Sequence, residues 1–179
     1  YYRVMTTAFN SEYDAEQVKN TLAAQVSSAQ VYELSFSEMT FTVTAEEDDM
    51  AVITSALAQW PELIRSLMAM IRKAEAGEIT GQEALVSVKE IASQLADAQK
   101  ALSGVSGARQ SELVRTLSDM YAEAAGILRD VADGGTVAAG ATLGRVKYAH
   151  IGMCWNYRAL VEKIAASQQD AAPETTEEE

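Results

Sequence analysis

The residue best suited to chemistry is the only histidine in the chain, His150. It lies on an apolar stripe of the last predicted helix, between Val146 and Met153, rather than among the polar residues of that helix. Counting equal distances from the helix connection places Met120 of the preceding helix at the same level, and Cys154 follows one turn later. An imidazole, two thioethers and a thiol inside a bundle can bind a soft metal such as copper. His150 and Met120 could instead ligate a haem axially.

A structural role is the interpretation of His150 that we favour from the sequence. A neutral imidazole can hydrogen-bond to Tyr157, Asp119 or a backbone carbonyl, while methionines fill an irregular core. A third interpretation is a buried pH switch, because histidine is the side chain that ordinarily changes charge near neutral pH. We therefore expect no resident metal or cofactor. The only candidates for ligand binding are His150, Met120, Met153 and Cys154.

Counting the reactive residues excludes several familiar kinds of site. A di-iron carboxylate bundle needs Glu-x-x-His on two helices, and a structural zinc site needs four Cys or His ligands, whereas the chain has one Cys and one His. A Ser-His-acid arrangement would have to use His150, which the apolar stripe places inside the bundle, and Cys154 has no second histidine to activate it. No glycine-rich phosphate-binding loop is present. We predict that the protein is not an enzyme.

Aromatic and basic residues lie together beside the same stripe. Tyr148 and Trp155 are seven residues apart, which places them on one side of a helix, and Lys147 and Arg158 flank them. These rings could bury against a neighbouring element of the same chain. The alternative is a protein interface anchored by Trp, Tyr and Arg, for which a second copy of the chain is the simplest partner.

The elements that must position these residues are four long amphipathic helices. From Thr44 onward, apolar residues recur alternately three and four positions apart, as on the contact face of a coiled coil. The first helix begins at a capping box of Thr44 and Glu47 and ends at Gly77. Its register continues through Pro61 without a slip, so we predict one helix kinked at Pro61, with a break into two helices as the alternative.

Three further helices follow at short, glycine-bearing connections. A second capping box of Thr80 and Glu83 opens the next helix, Gly134 ends the third, and Thr136 caps the fourth. The predicted inward-facing residues of the four helices are Met50, Ile53, Leu57, Trp60, Ile64, Leu67, Ile71 and Ala74, then Ala84, Val88, Ile91, Leu95, Ala98 and Leu102, then Leu113, Leu117, Met120, Ala124, Ile127 and Val131, then Leu143, Val146, His150, Met153, Tyr157, Leu160 and Ile164. Because the connections are too short for crossovers, the helices should form an antiparallel up-down four-helix bundle.

The N-terminal segment shows a different pattern. Residues 1–9 are rich in aromatic and β-branched types and predict a strand, and a short helix from about Ala15 to Val26 follows. Residues 31–43 alternate with period two, and the phase changes at Ser37, which predicts a hairpin. A single bent strand with a bulge is the alternative. The predicted class is therefore α+β, mainly α, with a β-α-β-β unit at 1–44, the bundle at 45–168 and a disordered acidic tail at 169–179.

The charge of the chain excludes some partners. Acidic residues number 26 against 14 basic ones, a net charge of −12, and the excess is concentrated in Glu46–Asp49 and the tail. Nonspecific binding to nucleic acid or to an anionic membrane is disfavoured because both need a basic surface. No apolar run is long enough to span a membrane. Because the chain begins with Tyr1 rather than Met, we expect that a leader, a tag or a preceding domain has been removed.

Taken together, these patterns predict a noncatalytic protein that acts by protein-protein contact. It would be a helical-bundle component of a larger assembly such as a virion, a secretion machine or an envelope complex, or a homo-oligomer. One alternative is a bundle that binds a small ligand, metal or haem around His150. Another is an acidic inhibitor that blocks a basic partner through Glu46–Asp49 and the tail.

Overall fold

The computed structural model describes residues 12–26, 28–31, 45–107, 111–135 and 140–169 of the chain. Over these ranges the regular structure consists of helices only. They are α1 (Glu12–Ala23), α2 (Glu47–Glu75), α3 (Gly81–Ser103), α4 (Glu112–Gly134) and α5 (Gly140–Gln169).

The predicted α+β class is wrong, because the described residues form five helices and no strand. The helix predicted at Ala15–Val26 is present as α1, three residues earlier at each end. The strands predicted in 1–9 and 31–43 lie outside the described residues, except for Val31. Within the described ranges, α1 makes no contact with α2 to α5, so a β-α-β-β unit packed on the bundle has no support. The prediction failed because alternation within a short apolar run is weak evidence of a sheet, whose pairing depends on distant segments.

Helix α2 is continuous through Pro61, as predicted, and spans 29 residues. It ends at Gly77, whose φ of 70° lies in the left-handed region that favours glycine. The Gly77 N–H donates to the Ala74 carbonyl at 3.2 Å and the Glu78 N–H donates to the Lys73 carbonyl at 2.9 Å. This pair of bonds is a Schellman motif, which satisfies carbonyls that the end of a helix would otherwise leave free.

The start of α2 differs from the prediction. The N-cap residue is Glu46, which makes no side-chain cap hydrogen bond, and the predicted cap Thr44 lies outside the described residues. The acidic first turn, Glu47–Asp49, suits the positive end of the helix dipole. In addition, Asp49 Oδ2 accepts a hydrogen bond from the Ser106 N–H at 3.1 Å, which ties the start of α2 to the end of α3.

Capping side chains fix the starts of the next two helices. The predicted capping box is confirmed at α3, where the Glu83 N–H donates to Thr80 Oγ1 at 3.2 Å and the Thr80 N–H donates to Glu83 Oε2 at 2.7 Å. At α4 the N-cap is Ser111, whose Oγ accepts from the Val114 N–H at 3.4 Å. These caps replace the intrahelical partners that the first N–H groups of a helix lack.

Helices α2 to α5 pack around one core in chain order. Each contacts the next, α5 also contacts α2, and the most extensive contact is between α3 and α4. Side-chain links place opposite ends of neighbouring helices together: Lys147 near the start of α5 pairs with Glu75 at the end of α2. Lys163 near the end of α5 pairs with Glu112 at the start of α4, at 2.7 Å. The arrangement is that of an antiparallel helical bundle.

The buried core includes most predicted stripe residues and extends beyond them. Val88, Leu95, Leu102, Leu117 and Val131 are fully buried, as the spacing predicts. On most helices the structure shows a second row of buried residues beside the predicted row, because a helix in a bundle packs against two neighbours. The buried residues that the prediction omitted are Ala56, Leu63, Met68, Met70, Leu85, Ala92, Val105, Val114, Tyr121, Ala125, Leu128, Ala132 and Ala149.

None of the helices in the described ranges is long and apolar enough to cross a membrane.

Candidate functional site

The outward side of α5 carries the most exposed large rings of the bundle. Tyr148 is 70% exposed and Trp155 is 51% exposed, although both are large and partly apolar. Between Arg145 and Glu162, the exposed residues in the described part of α5 are Tyr148, Trp155 and Ala159, and the charged side chains there, Lys147 and Arg158, are partly exposed and ion-paired. Apolar residues thus occur on both the inner and the outer side of this helix, which is typical of a helix that is covered on both sides.

Helix α3 shows what an ordinary solvent-facing side looks like in this protein. Its exposed residues include charged side chains along the whole length, namely Glu83, Lys89, Glu90, Asp97 and Lys100. The single large exposed apolar residue of α3 is Val86, which is 47% exposed. The scarcity of exposed charge on the outer side of α5 is therefore a local property of that helix.

The Trp155 ring is held by a charged neighbour on the same helix. The Arg158 guanidinium lies over the ring, 5.5 Å from its centroid, in a cation-π contact. Arg158 Nε also pairs with Glu162 Oε1 at 2.6 Å, one turn later. Both contacts order the two side chains without removing Trp155 from solvent, so the predicted interface residues Trp155 and Arg158 are presented together at the surface.

Lys147, the fourth predicted interface residue, has a different role. Its ammonium forms an ion pair with Glu75 at the end of α2, and its side chain is 30% exposed. This pair holds the start of α5 against α2. Of the predicted set, Tyr148, Trp155 and Arg158 line the outer side of α5, and Lys147 fixes the position of the helix beside them.

Two buried aromatic residues, Trp60 of α2 and Tyr121 of α4, connect three helices of the bundle, and the predicted inward-facing residues of α4 did not include Tyr121. The Trp60 Nε1–H donates to the Met153 carbonyl at 3.2 Å, and the Tyr121 hydroxyl donates to the Ala56 carbonyl at 2.7 Å. The Trp60 and Tyr121 rings meet edge to face, with centroids 4.8 Å apart. Burial raises the pKa of Tyr121, so this hydroxyl stays protonated as a donor.

Side-chain contacts between α4 and α5 show which residues of α4 lie beside His150 along the helix axis. Asn156 Nδ2 donates to Glu123 Oε2 at 3.2 Å, and Lys163 Nζ donates to Thr116 Oγ1 at 3.5 Å. Continued along the helices, this antiparallel register puts His150 near the level of Leu128. Met120 is then about two turns away, roughly 12 Å along the axis.

His150 itself is a buried core residue. It is 3% exposed, and desolvation lowers its pKa to about 4, so the imidazole is neutral near pH 7. Its Nε2 lies 3.9 Å from Cys154 Sγ. Burial raises the pKa of the Cys154 thiol to about 11, which keeps it in the protonated form that is a poor nucleophile and a poor metal ligand.

The surroundings of His150 offer little to a ligand. Over the described residues, no three His, Cys, Asp or Glu side chains cluster where they could hold a metal ion. Nor does any fully buried side-chain nitrogen or oxygen in those ranges lack a hydrogen-bond partner. An open cavity of about 290 Å³ does lie between α2 and α3, but no residue of α5 lines it. Its lining residues are Ala51, Val52, Ser55, Ala56, Gln59, Ala98 and Ala101.

A comparison with known proteins found no match: no family model, no curated protein and no solved structure matches the chain.

Proposed function

We propose that the protein is noncatalytic and acts by protein-protein contact, with the outer side of α5 as the contact surface. The observation that carries the proposal is the exposure of Tyr148 and Trp155 on a helix side whose charged side chains between Arg145 and Glu162, Lys147 and Arg158, are only partly exposed and are already ion-paired. Aromatic residues and arginine anchor protein interfaces, and charged residues are depleted at their centres.

The arrangement of Arg158 supports this role. Its cation-π contact with Trp155 and its ion pair with Glu162 leave few side-chain rotamers to be frozen when a partner binds. A surface whose anchors are ordered beforehand loses less conformational entropy on association. Tyr148 and Trp155 also lie two turns apart on one side of the helix, so one partner can cover both.

The ligand-binding alternative has weaker support. His150 is buried and neutral, Cys154 is protonated, and Met120 lies about two turns from the level of His150. The first-turn acids of α2 complement the helix dipole, and Asp49 also accepts a hydrogen bond from the Ser106 N–H beyond the end of α3, so the acidic run Glu46–Asp49 has a structural role that needs no inhibitor function.

The test compares complexes in extracts of the cells that produce the protein. We expect the tagged full chain to sediment well above its mass of 19.3 kDa, and the double variant Tyr148→Ser, Trp155→Ser to shift to the monomer fraction. Val86→Ser, which removes a comparably exposed apolar residue from α3, is the matched control and should leave the profile unchanged. If the double variant sediments like the wild type, α5 is not the contact surface.

A further inference from the structure

The outer side of α5 has its own heptad-like spacing, separate from the stripe that faces the core. Eight residues occur alternately four and three positions apart along about 38 Å of helix, the pattern by which one helix packs on another. These outer-stripe residues are Ala141, Arg145, Tyr148, Gly152, Trp155, Ala159, Glu162 and Ala166. All of them are exposed except Gly152, which is partly exposed. The outer stripe therefore has the geometry of a second helix-packing surface that no described element covers.

The order of residues in the outer stripe is self-complementary about its midpoint, between Gly152 and Trp155. If a second copy of α5 lay antiparallel on the first with the midpoints aligned, each large ring would face a small residue. Trp155 would lie opposite Gly152 of the other copy, and Tyr148 would lie opposite Ala159. Such large-on-small pairing lets two helices interdigitate without voids or clashes.

The charged residues of the outer stripe are also complementary in an antiparallel, two-fold symmetric pair. Arg145 lies near one end of the outer stripe and Glu162 lies near the other, and both are exposed. In the antiparallel pair, Arg145 of each copy faces Glu162 of the other, whose Oε1 also pairs with Arg158 of its own helix, so two intermolecular ion pairs form. A parallel pair would instead place Arg145 against Arg145 and Glu162 against Glu162, which is repulsive.

We infer that the outer stripe of α5 binds a second copy of the chain, antiparallel and two-fold symmetric, with Trp155 on Gly152, Tyr148 on Ala159 and Arg145 paired with Glu162. This inference rests on the proposed function and names its partner. A two-fold contact needs one surface that complements itself, and the outer stripe meets that condition at every position.

The test measures self-association of the purified full chain by sedimentation equilibrium. We expect a monomer-dimer equilibrium whose dissociation constant rises at least about tenfold in Arg145→Glu and in Glu162→Arg, because each variant sets like charges opposite one another twice per dimer. The double variant Arg145→Glu, Glu162→Arg restores opposite charges and should return to within about threefold of the wild type.

The matched control is a charge pair on another helix. Arg65 and Glu62 form an exposed ion pair on α2, 2.6 Å apart, so Arg65→Glu makes the same change in net charge as Arg145→Glu, and Glu62→Arg the same change as Glu162→Arg, away from the outer stripe. We expect both to leave the dissociation constant unchanged. Circular dichroism checks that each variant remains folded, which is expected since all the altered side chains are exposed.

Cysteine crosslinking tests the direction independently. Ala141→Cys protein mixed with Ala166→Cys protein should form a disulfide between unlike variants on mild oxidation, whereas either variant alone should not. Disulfides between like variants would indicate a parallel pair and overturn the inference. Cys154 does not compete, because burial raises the pKa of its thiol to about 11.

The remaining outcomes separate the two proposals. A purified chain that stays monomeric, or a dimer whose charge swap restores nothing, overturns the antiparallel self-contact. If the extract experiment still shows a complex that depends on Tyr148 and Trp155, the proposed function stands with a different protein partner. If both experiments are negative, the proposed function fails as well.

Discussion

The burial of His150 links the stability of the protein to pH. Desolvation lowers the pKa of this imidazole from its ordinary value of 6.5 to about 4, so protons bind more tightly to the unfolded chain than to the folded one. The stability that comes from a neutral His150 is complete above about pH 6.5 and is lost as the pH falls through about 4. Between pH 7 and pH 4.5 we expect this residue alone to reduce the free energy of unfolding by about 2 kcal/mol.

Urea unfolding of the wild type and of His150→Gln at several pH values measures this effect. The carboxylates titrate in both proteins, so the difference between the two curves isolates His150. The wild type should lose more stability on acidification than the variant does. Parallel curves would show that the imidazole is solvated in the folded state, and a switch near neutral pH would instead require the divergence to begin above pH 6.5.

At the scale of a helix, α3 shows how strongly the core side is specified. Leu95 is fully buried in the hydrophobic core, on a helix whose most extensive contact is with α4. In Leu95→Asp an unpaired carboxylate enters the apolar core, and we expect the free energy of unfolding to fall by more than about 4 kcal/mol, a large part of the roughly 5–15 kcal/mol that stabilises a typical domain. Thermal denaturation followed by circular dichroism measures the change.

The neighbouring residue supplies the control for that experiment. Gln94 is exposed on the same turn, so Gln94→Asp introduces the same side chain into the same helix without burying it. We expect its melting temperature to stay within a few degrees of the wild type, because surface substitutions usually change stability by less than about 0.5 kcal/mol. A cooperative melt of Leu95→Asp at the wild-type temperature would mean that this side of α3 does not face the core.

Helix periodicity predicted the inner stripes well because burial of one helix side is a local pattern. Val88, Leu95 and Leu117 all lie where the alternating spacing of three and four places them. Tyr121 was missed because the prediction assigned about one inward-facing residue to each helical turn. A helix that packs between two neighbours instead buries two rows of residues. The signal was present, since Tyr121 falls four residues after Leu117.

Quantities that depend on distant contacts could not be predicted in the same way. The sequence placed Met120 level with His150 by counting from a fourth helix that begins at Thr136. Thr136 lies outside the described residues, and the Asn156–Glu123 contact puts His150 and Met120 about two turns apart. The α+β class failed for a related reason, because strand pairing is a relation between segments and not a property of one.

At the scale of the whole molecule, binding of a second copy to α5 makes the stability of the folded protein depend on its concentration. The outer stripe lies on a helix that packs against both α2 and α4, so α5 must be folded within the bundle before two copies can pair. Any partner that binds only the folded state stabilises it by mass action.

We therefore expect the melting temperature to rise by about 3 °C for a hundredfold increase in concentration above the dissociation constant. Calorimetry of the wild type beside Trp155→Ser checks this expectation, since the variant lacks the central ring and should melt at one temperature throughout. A wild-type melting temperature that does not change with concentration would show that the folded chain gains no stability from a second copy.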